Sequence, residues 1–135
     1  MTGFSLHPQL AADTVPVLDL ELCAVLLMDE VAWPWLVLVP RKPNLREFMD
    51  LDPAAQHRLM EEIVRAQRAL QGLYRPDKLN VGALGNMVPQ LHIHVIARIQ
   101  GDPAWPGPVW GAKAKERCAP AELAKRVAAV REALT

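Results

Sequence analysis

Two histidines separated by one residue are the part of this chain best suited to chemistry. They are His92 and His94, and aliphatic residues stand before, between and after them. Side chains alternate between the two faces of a β-strand, so a strand here would place both imidazoles and Gln90 on one face and the aliphatic residues in the core. An imidazole can serve as nucleophile, acid, base or metal ligand near neutral pH. The pair is therefore the first candidate for a functional site.

The pattern leaves three interpretations open. The two histidines could be structural, as we expect for His7 near the N-terminus and for His57 on a helix. They could be ligands of a metal such as zinc, which needs a third ligand, but no Asp or Glu occurs between Lys78 and Gly101. They could also act on an anion, which the surrounding donor groups favour.

Phosphate is the anion that these donors suit. Gly82 and Gly85 would let backbone N–H groups approach a ligand closely. An imidazole can attack phosphorus and hold the transferred group as a phosphoramidate, while amides and a second imidazole stabilise the phosphoryl oxygens. The same stretch supplies the candidate donors Lys78, Asn80, Asn86, Gln90 and Arg98.

Five strands and two helices must position these residues. The apolar runs predict strands near 15–18 and over 22–28, 35–39, 78–84 and 90–98. Asp52 as N-cap and Pro53 at the first helical position predict a helix that continues to about Tyr74, with Glu61 and Glu62 off its apolar stripe. A second helix is predicted over about 120–134. This order predicts an α+β domain with an antiparallel sheet.

Composition narrows the class of protein further. The length of 135 residues predicts one domain, and a formal net charge of zero gives no general attraction to nucleic acid or to a membrane. The longest apolar run has about ten residues, against about 20 for a membrane span. No secretory signal is visible at the N-terminus, and Cys23 and Cys118 belong to no paired-cysteine motif. We therefore expect a cytoplasmic protein without a disulfide.

Several motifs resemble those of the histidine triad (HIT) family. Asn80-Val81-Gly82 together with the stretch from Gln90 to Ile96 is similar to the signature of that family, in which three histidines alternate with hydrophobic residues after an Asn-x-Gly loop. The run from Trp35 to Arg41 is similar to a second diagnostic strand, which ends in Pro-Lys or Pro-Arg. More narrowly, 82–90 and 102–106 resemble a bacterial subgroup described as diadenosine tetraphosphate hydrolase-like.

The resemblance implies one HIT-like domain over 1–135, with an antiparallel sheet of about five strands, one long helix, a C-terminal helix and pairing as a homodimer. It also implies hydrolysis or transfer at the α-phosphate of a nucleotide. His92 matches the nucleophile and His94 matches a histidine that contacts the phosphate. Asn80 matches a residue that orients this cluster, and Asn86 with the backbone around Met87 matches the segment that binds phosphate oxygens.

Two positions depart from the family pattern. Gln90 stands where the first histidine is expected, and an amide cannot take up a proton near pH 7. Trp35 stands where many members carry another histidine. Arg98 closes the strand and is expected to contact substrate, while Trp105 and Trp110 are expected in the core or a dimer interface, with base stacking as the alternative.

The departures leave more than one function open. The first is a hydrolase or transferase that acts on dinucleoside polyphosphates or nucleoside phosphoramidates through a nucleotidyl-histidine, with Gln90, His92 and His94 as its catalytic group. The second is a nucleotide-binding module with weak or no catalysis, and the third is a metal-binding protein. In the first two the partner is a small-molecule nucleotide, and no metal or other resident cofactor is expected beyond Mg²⁺ carried by a polyphosphate substrate.

Overall fold

A five-stranded antiparallel sheet forms the centre of the structure. The computed structural model describes residues 3–112 and 115–135. The strands are β1 (Thr14–Asp19), β2 (Cys23–Met28), β3 (Trp35–Pro40), β4 (Lys78–Gly82) and β5 (Ile93–Arg98), in the spatial order β1-β2-β3-β5-β4. The helices are α1 (Pro8–Asp13), α2 (Pro53–Tyr74) and α3 (Pro120–Leu134), with a short 3-10 helix over Phe48–Asp50. The predicted α+β fold, with one long and one C-terminal helix, is confirmed.

The long helix begins and ends as its sequence dictates. Asp52 is the N-cap, and its carboxylate accepts a 2.8 Å hydrogen bond from the backbone N–H of Ala55. Pro53 occupies the first turn, where its missing N–H costs nothing. Arg75 ends the helix in the left-handed conformation, with φ of 47°. The buried face of α2 packs on the sheet beside α3.

Two strand boundaries differ from the prediction. β5 begins at Ile93 instead of Gln90, because the preceding backbone leaves the sheet and the N–H of Leu91 donates to the carbonyl of Leu45. β4 ends at Gly82 instead of Leu84. The chain between β4 and β5 is therefore a ten-residue loop, residues 83–92. This loop carries four of the predicted site residues, Asn86, Met87, Gln90 and His92.

The position of the Glu62 side chain also differs from the prediction. Its side chain was expected off the apolar stripe of α2, but the residue is only 1% exposed. Its carboxylate accepts 2.8 Å hydrogen bonds from the backbone N–H groups of Leu22 and Cys23, at the start of β2. A buried carboxylate needs such donors, so Glu62 joins the helix to the sheet.

The sheet is covered on both faces, as the continuous apolar runs predicted. All residues of β3 and β5 are buried. One face packs against α2 and α3. The other face carries a second apolar cluster, to which the N-terminal segment (residues 4–10) contributes Phe4, Leu6 and Leu10 and the loop after β5 contributes Val109 and Trp110. In the described part of the chain, none of the helices has the length and apolarity that a membrane span requires.

Candidate active site

His92 and His94 lie together on the face of the sheet that the second apolar cluster covers. His94 is opposite Val37 in the β3–β5 register, and Val37 belongs to that cluster. The two imidazole centroids are 5.0 Å apart and the rings are inclined by 73°. The residues are 7% and 6% exposed, so the pair is held in a largely dry setting.

The hydrogen bond of His92 determines which of its nitrogens is free. Its Nδ1 lies 2.6 Å from the backbone carbonyl oxygen of Gln90. Because a carbonyl oxygen can only accept, Nδ1 must carry the proton and donate it. In the neutral imidazole the lone pair is then on Nε2, which is the arrangement that a nucleophile requires.

His94 has the opposite arrangement. Its Nδ1 lies 2.9 Å from Nε1 of Trp35, and an indole N–H can only donate. Nδ1 of His94 is therefore the acceptor, and in the neutral ring the proton is on Nε2. Burial, with a contribution from nearby His92, lowers the pKa of His94 to about 4. Near pH 7 this ring is a neutral hydrogen-bond donor.

Two tryptophans enclose His94. The ring of Trp35 lies 5.6 Å from it and the ring of Trp110 lies 5.3 Å from it, both in edge-to-face arrangements. Trp110 packs directly over Gly82, where an added Cβ would come within 2.9 Å of the indole. Gly82 therefore makes room for the Trp110 ring. The prediction was that the absence of a side chain at this position lets the backbone approach an anion.

The side chain of Gln90 is engaged away from the histidines. Its Oε1 accepts a 2.9 Å hydrogen bond from the N–H of His7, and its Nε2 donates a 2.9 Å hydrogen bond to the carbonyl of Ser5. Gln90 reaches His92 only through its backbone carbonyl. This geometry argues against a direct catalytic role for the Gln90 amide and joins the residue to the N-terminal segment. His7 itself caps α1, since its Nδ1 accepts from the N–H of Gln9.

Arg98 and Asn80 form a separate buried network. Nε and one terminal nitrogen of Arg98 bind the Asp102 carboxylate at 2.7 and 3.0 Å, and the other terminal nitrogen donates to Oδ1 of Asn80 at 2.8 Å. The guanidinium also lies 5.6 Å from the ring centre of Trp105, and Arg98 is 2% exposed. The hydrogen bonds from Arg98 hold the pKa of Asp102 well below its usual range. Arg98 is therefore held in a buried ion pair and the Asn80 side chain binds Arg98, while the substrate contact of Arg98 and the orienting role of Asn80 stay predictions.

Asn86 and Met87 lie on the exposed part of the loop between β4 and β5, and Met87 is 93% exposed. The small cavity beside His92, of about 30 Å³, is lined instead by both ends of this loop, residues 83–85 and 90–92, and by residues 46–48 at the start of the 3-10 helix. Sequence reasoning missed Arg46 and Phe48 on that second wall, because nothing in their spacing connects them to His92.

A larger cavity of about 270 Å³ is lined by Trp35. Its walls combine this indole and Met28 with four carboxylates and two cations, namely Asp13, Asp29, Glu30, Glu116, Lys115 and Arg117. Over 3–112 and 115–135, no group of three or more His, Cys, Asp or Glu side chains could hold a metal ion. The arrangement is instead suited to a mixed polar and aromatic ligand.

Comparison with known proteins places these features in a family. The HIT domain family matches residues 9–101. Solved structures of histidine triad proteins from Bradyrhizobium japonicum and Marinobacter aquaeolei are each 46% identical, with TM-scores of 0.96 and 0.95; they cover 98% of this chain and the chain covers 99% and 96% of theirs. A histidine triad protein from Sinorhizobium meliloti is 42% identical, with a TM-score of 0.94 and 98% coverage of both chains. No protein of curated function matches. With more than half of its length matched, this chain belongs to the HIT domain family.

Proposed function

We propose that the protein is a nucleotide hydrolase or transferase that acts on the α-phosphate of dinucleoside polyphosphates or nucleoside phosphoramidates through a nucleotidyl intermediate on His92. One observation carries the proposal: adjacent imidazoles are fixed as opposite tautomers by Gln90 and Trp35. His92 then presents a lone pair and His94 presents an N–H donor. The resemblance of the loop sequences to the diadenosine tetraphosphate hydrolase-like subgroup makes that dinucleotide the first substrate to test.

The two tautomers suggest a sequence of steps. Nε2 of His92 attacks the α-phosphorus, so that an N–P bond forms and the bond to the leaving group breaks. The Gln90 carbonyl accepts from Nδ1 of the resulting charged ring. The Nε2–H of His94 donates to a phosphoryl oxygen where negative charge accumulates. Water or another acceptor then attacks phosphorus, the N–P bond breaks with its electron pair returning to Nε2 of His92, and the proton of the attacking group passes to solvent.

The cavity beside Trp35 is our candidate for the nucleoside subsite. At about 270 Å³ it is much larger than the cavity of about 30 Å³ beside His92. The indole offers an apolar wall for a base, and carboxylates such as Asp29 can accept from ribose hydroxyl groups. Lys115 on the same wall can attract a phosphate group, while Arg117 is paired with Asp29 at 3.0 Å, and Mg²⁺ would arrive with a polyphosphate substrate.

A substrate panel with matched variants tests the proposal. We expect the wild type to hydrolyse at least one dinucleoside polyphosphate or nucleoside phosphoramidate and to carry a nucleotide adduct when quenched and measured by mass spectrometry. His92→Ala should abolish turnover and adduct. His57→Ala, on the exposed side of α2, should change neither. Equal turnover by wild type and His92→Ala would refute the assignment.

A nucleotide-binding module with little catalysis is the second candidate. It is favoured by Gln90 itself, because an amide at the first position of the triad cannot take up a proton near pH 7 and this one is bound to the N-terminal segment. Calorimetry would then show binding of adenosine phosphates while chromatography shows no product. Turnover that depends on His92 would exclude this alternative.

We also propose that the protein functions as a homodimer. β4 is an edge strand of the described sheet, and edge strands offer unpaired backbone groups to another chain. Val81 on this strand is 44% exposed. Pairing of two copies along β4 would cover this edge.

A further inference from the structure

We propose that Gln90 is a positioning residue whose amide fastens the N-terminal segment and thereby holds the backbone carbonyl that orients His92. The catalytic consequence rests on the proposed function of His92. The fastening itself does not, because it can be measured without any substrate.

The geometry of the Gln90 amide suits this task. Its oxygen and its nitrogen bind the N–H of His7 and the carbonyl of Ser5, the two backbone groups that flank Leu6. A primary amide presents an acceptor and a donor side by side, whereas the two nitrogens of an imidazole point in divergent directions. A histidine at position 90 could therefore not bind both groups in the same way.

The fastened segment is also packed onto the sheet. Leu10 is 4% exposed within the second apolar cluster, and Phe4 and Leu6 pack against that cluster. The cluster includes Trp35, which donates to His94. The N-terminal segment thus covers the same face of the sheet that carries the two imidazoles, and Gln90 joins the two layers.

The loop that carries Gln90 has few other anchors. Residues 83–92 belong to no helix or strand. Outside the sheet ladder, the backbone hydrogen bond described for this loop runs from Leu91 to Leu45. The two side-chain hydrogen bonds of Gln90 therefore contribute substantially to holding its backbone carbonyl in place. That carbonyl in turn determines the tautomer of His92.

Nitrogen-15 NMR of the imidazole rings tests the proposal directly, because it distinguishes the two neutral tautomers. The wild type should show His92 protonated on Nδ1 and His94 protonated on Nε2. In Gln90→Ala we expect both tautomers of His92 to be populated, with His94 unchanged as an internal reference. The His7 amide should exchange with solvent at least about tenfold faster, because its acceptor is lost.

Matched variants separate this effect from a general loss of structure. Gln56→Ala removes another glutamine amide that donates to a backbone carbonyl, that of Leu51, and should leave His92 and His7 unchanged. Gln90→Glu retains an acceptor for His7 but loses the donor to Ser5, so it should be intermediate. It also provides the measurement if Gln90→Ala does not fold.

Kinetics then test the catalytic consequence. Gln90→Ala should lower kcat by about tenfold with little change in KM, since the nucleophile is misoriented while the nucleoside subsite is intact. Gln90→His should show a similar loss, because the ring cannot hold both backbone groups. An unchanged His92 tautomer together with unchanged His7 exchange in Gln90→Ala would overturn the proposal, and so would an unchanged His92 tautomer in Gln90→Glu. A wild type without any turnover would instead refute the proposed function, while the NMR result would still decide the role of Gln90.

Discussion

The indole of Trp35 and the imidazole of His94 form a one-way hydrogen bond, with Nε1 of Trp35 2.9 Å from Nδ1 of His94. Because an indole has no acceptor on nitrogen, the direction of this bond cannot reverse. His94 is therefore held with its second nitrogen protonated whenever the ring is neutral. A histidine at position 35 could donate or accept and would leave this choice open.

Replacement of Trp35 by Phe should lower activity by roughly tenfold. Phe keeps an aromatic ring beside His94 but removes the N–H, and the loss of one buried hydrogen bond costs about 1–2 kcal/mol. Both tautomers of His94 should then be populated. Steady-state kinetics with an active substrate and nitrogen-15 NMR of the imidazoles measure the two effects.

Trp33→Phe is the matched control for this variant. Trp33 is 2% exposed and lies 6.3 Å from Trp35, but its N–H acts on the Asp102 carboxylate, whose pKa it helps to lower, and not on His94. The same substitution at position 33 should therefore leave the His94 tautomer unchanged. An equal loss of activity in both variants would show that the loss comes from altered packing and not from the missing N–H of Trp35.

Stability should depend on the protonation of His94. The pKa of this buried ring is lowered to about 4, below the value of about 6.5 expected in the unfolded chain. The unfolded state therefore binds more protons between these pH values, so the free energy of unfolding should fall as pH decreases from 6.5 to 4. The contribution of this one group is up to roughly 3 kcal/mol.

Urea unfolding at pH 7 and pH 4.5 measures this dependence. His94→Gln should show a smaller loss of stability between the two pH values than the wild type, because it carries no titrating ring. His57→Gln, a substitution on the exposed side of α2, should behave like the wild type. Identical pH dependence in wild type and His94→Gln would contradict the prediction.

Removal of the Asp102 charge should destabilise the protein strongly. Asp102→Asn leaves the guanidinium of Arg98 buried and without its anionic partner, which typically costs about 3–5 kcal/mol. Glu122→Gln breaks a more exposed ion pair, with Arg126, and should cost less than about 1 kcal/mol. Thermal or urea unfolding compares the two, and similar costs would show that the Arg98 network is not a structural anchor.

Charge on the exposed edge of β4 should prevent the proposed dimerisation. Val81→Lys places a cation on that edge, and edge lysines oppose strand pairing. Light scattering after size-exclusion chromatography should shift from two chains to one. Val31→Lys makes the same change at a residue that is 37% exposed before β3, and it should leave the mass unchanged. A monomeric wild type would exclude the dimer altogether.

Much of the fold was predictable because its signals are local. The N-cap and first-turn proline of α2, its apolar stripe and the apolar runs of the strands all lie within short windows of sequence. α1 was not predicted, because its six residues are too few for a helical period to be recognised. The shift in the start of β5 depends on Leu45, which is distant in sequence and could not be inferred from the alternating pattern alone.

The candidate site was only partly predictable, because many of its contacts join residues that are distant in sequence. The spacing of His92 and His94 placed them on one face. What surrounds them depends on contacts across the chain: Gln90 binds backbone groups more than 80 residues away, and Arg98 meets Asn80 across the neighbouring strand. Composition around a motif identifies donors, but it does not show which donors are already engaged.

The buried thiols have a consequence for how the protein tolerates oxidants and alkylating reagents. Cys23 and Cys118 are both free and buried, and burial raises the pKa of each thiol. At Cys23 the neighbouring carboxylate of Glu62 raises the pKa further. Since the reactive form of cysteine is the thiolate, neither residue offers a nucleophile to iodoacetamide or peroxide. The activity proposed for His92 should therefore persist under thiol-oxidising conditions that inactivate cysteine-dependent enzymes.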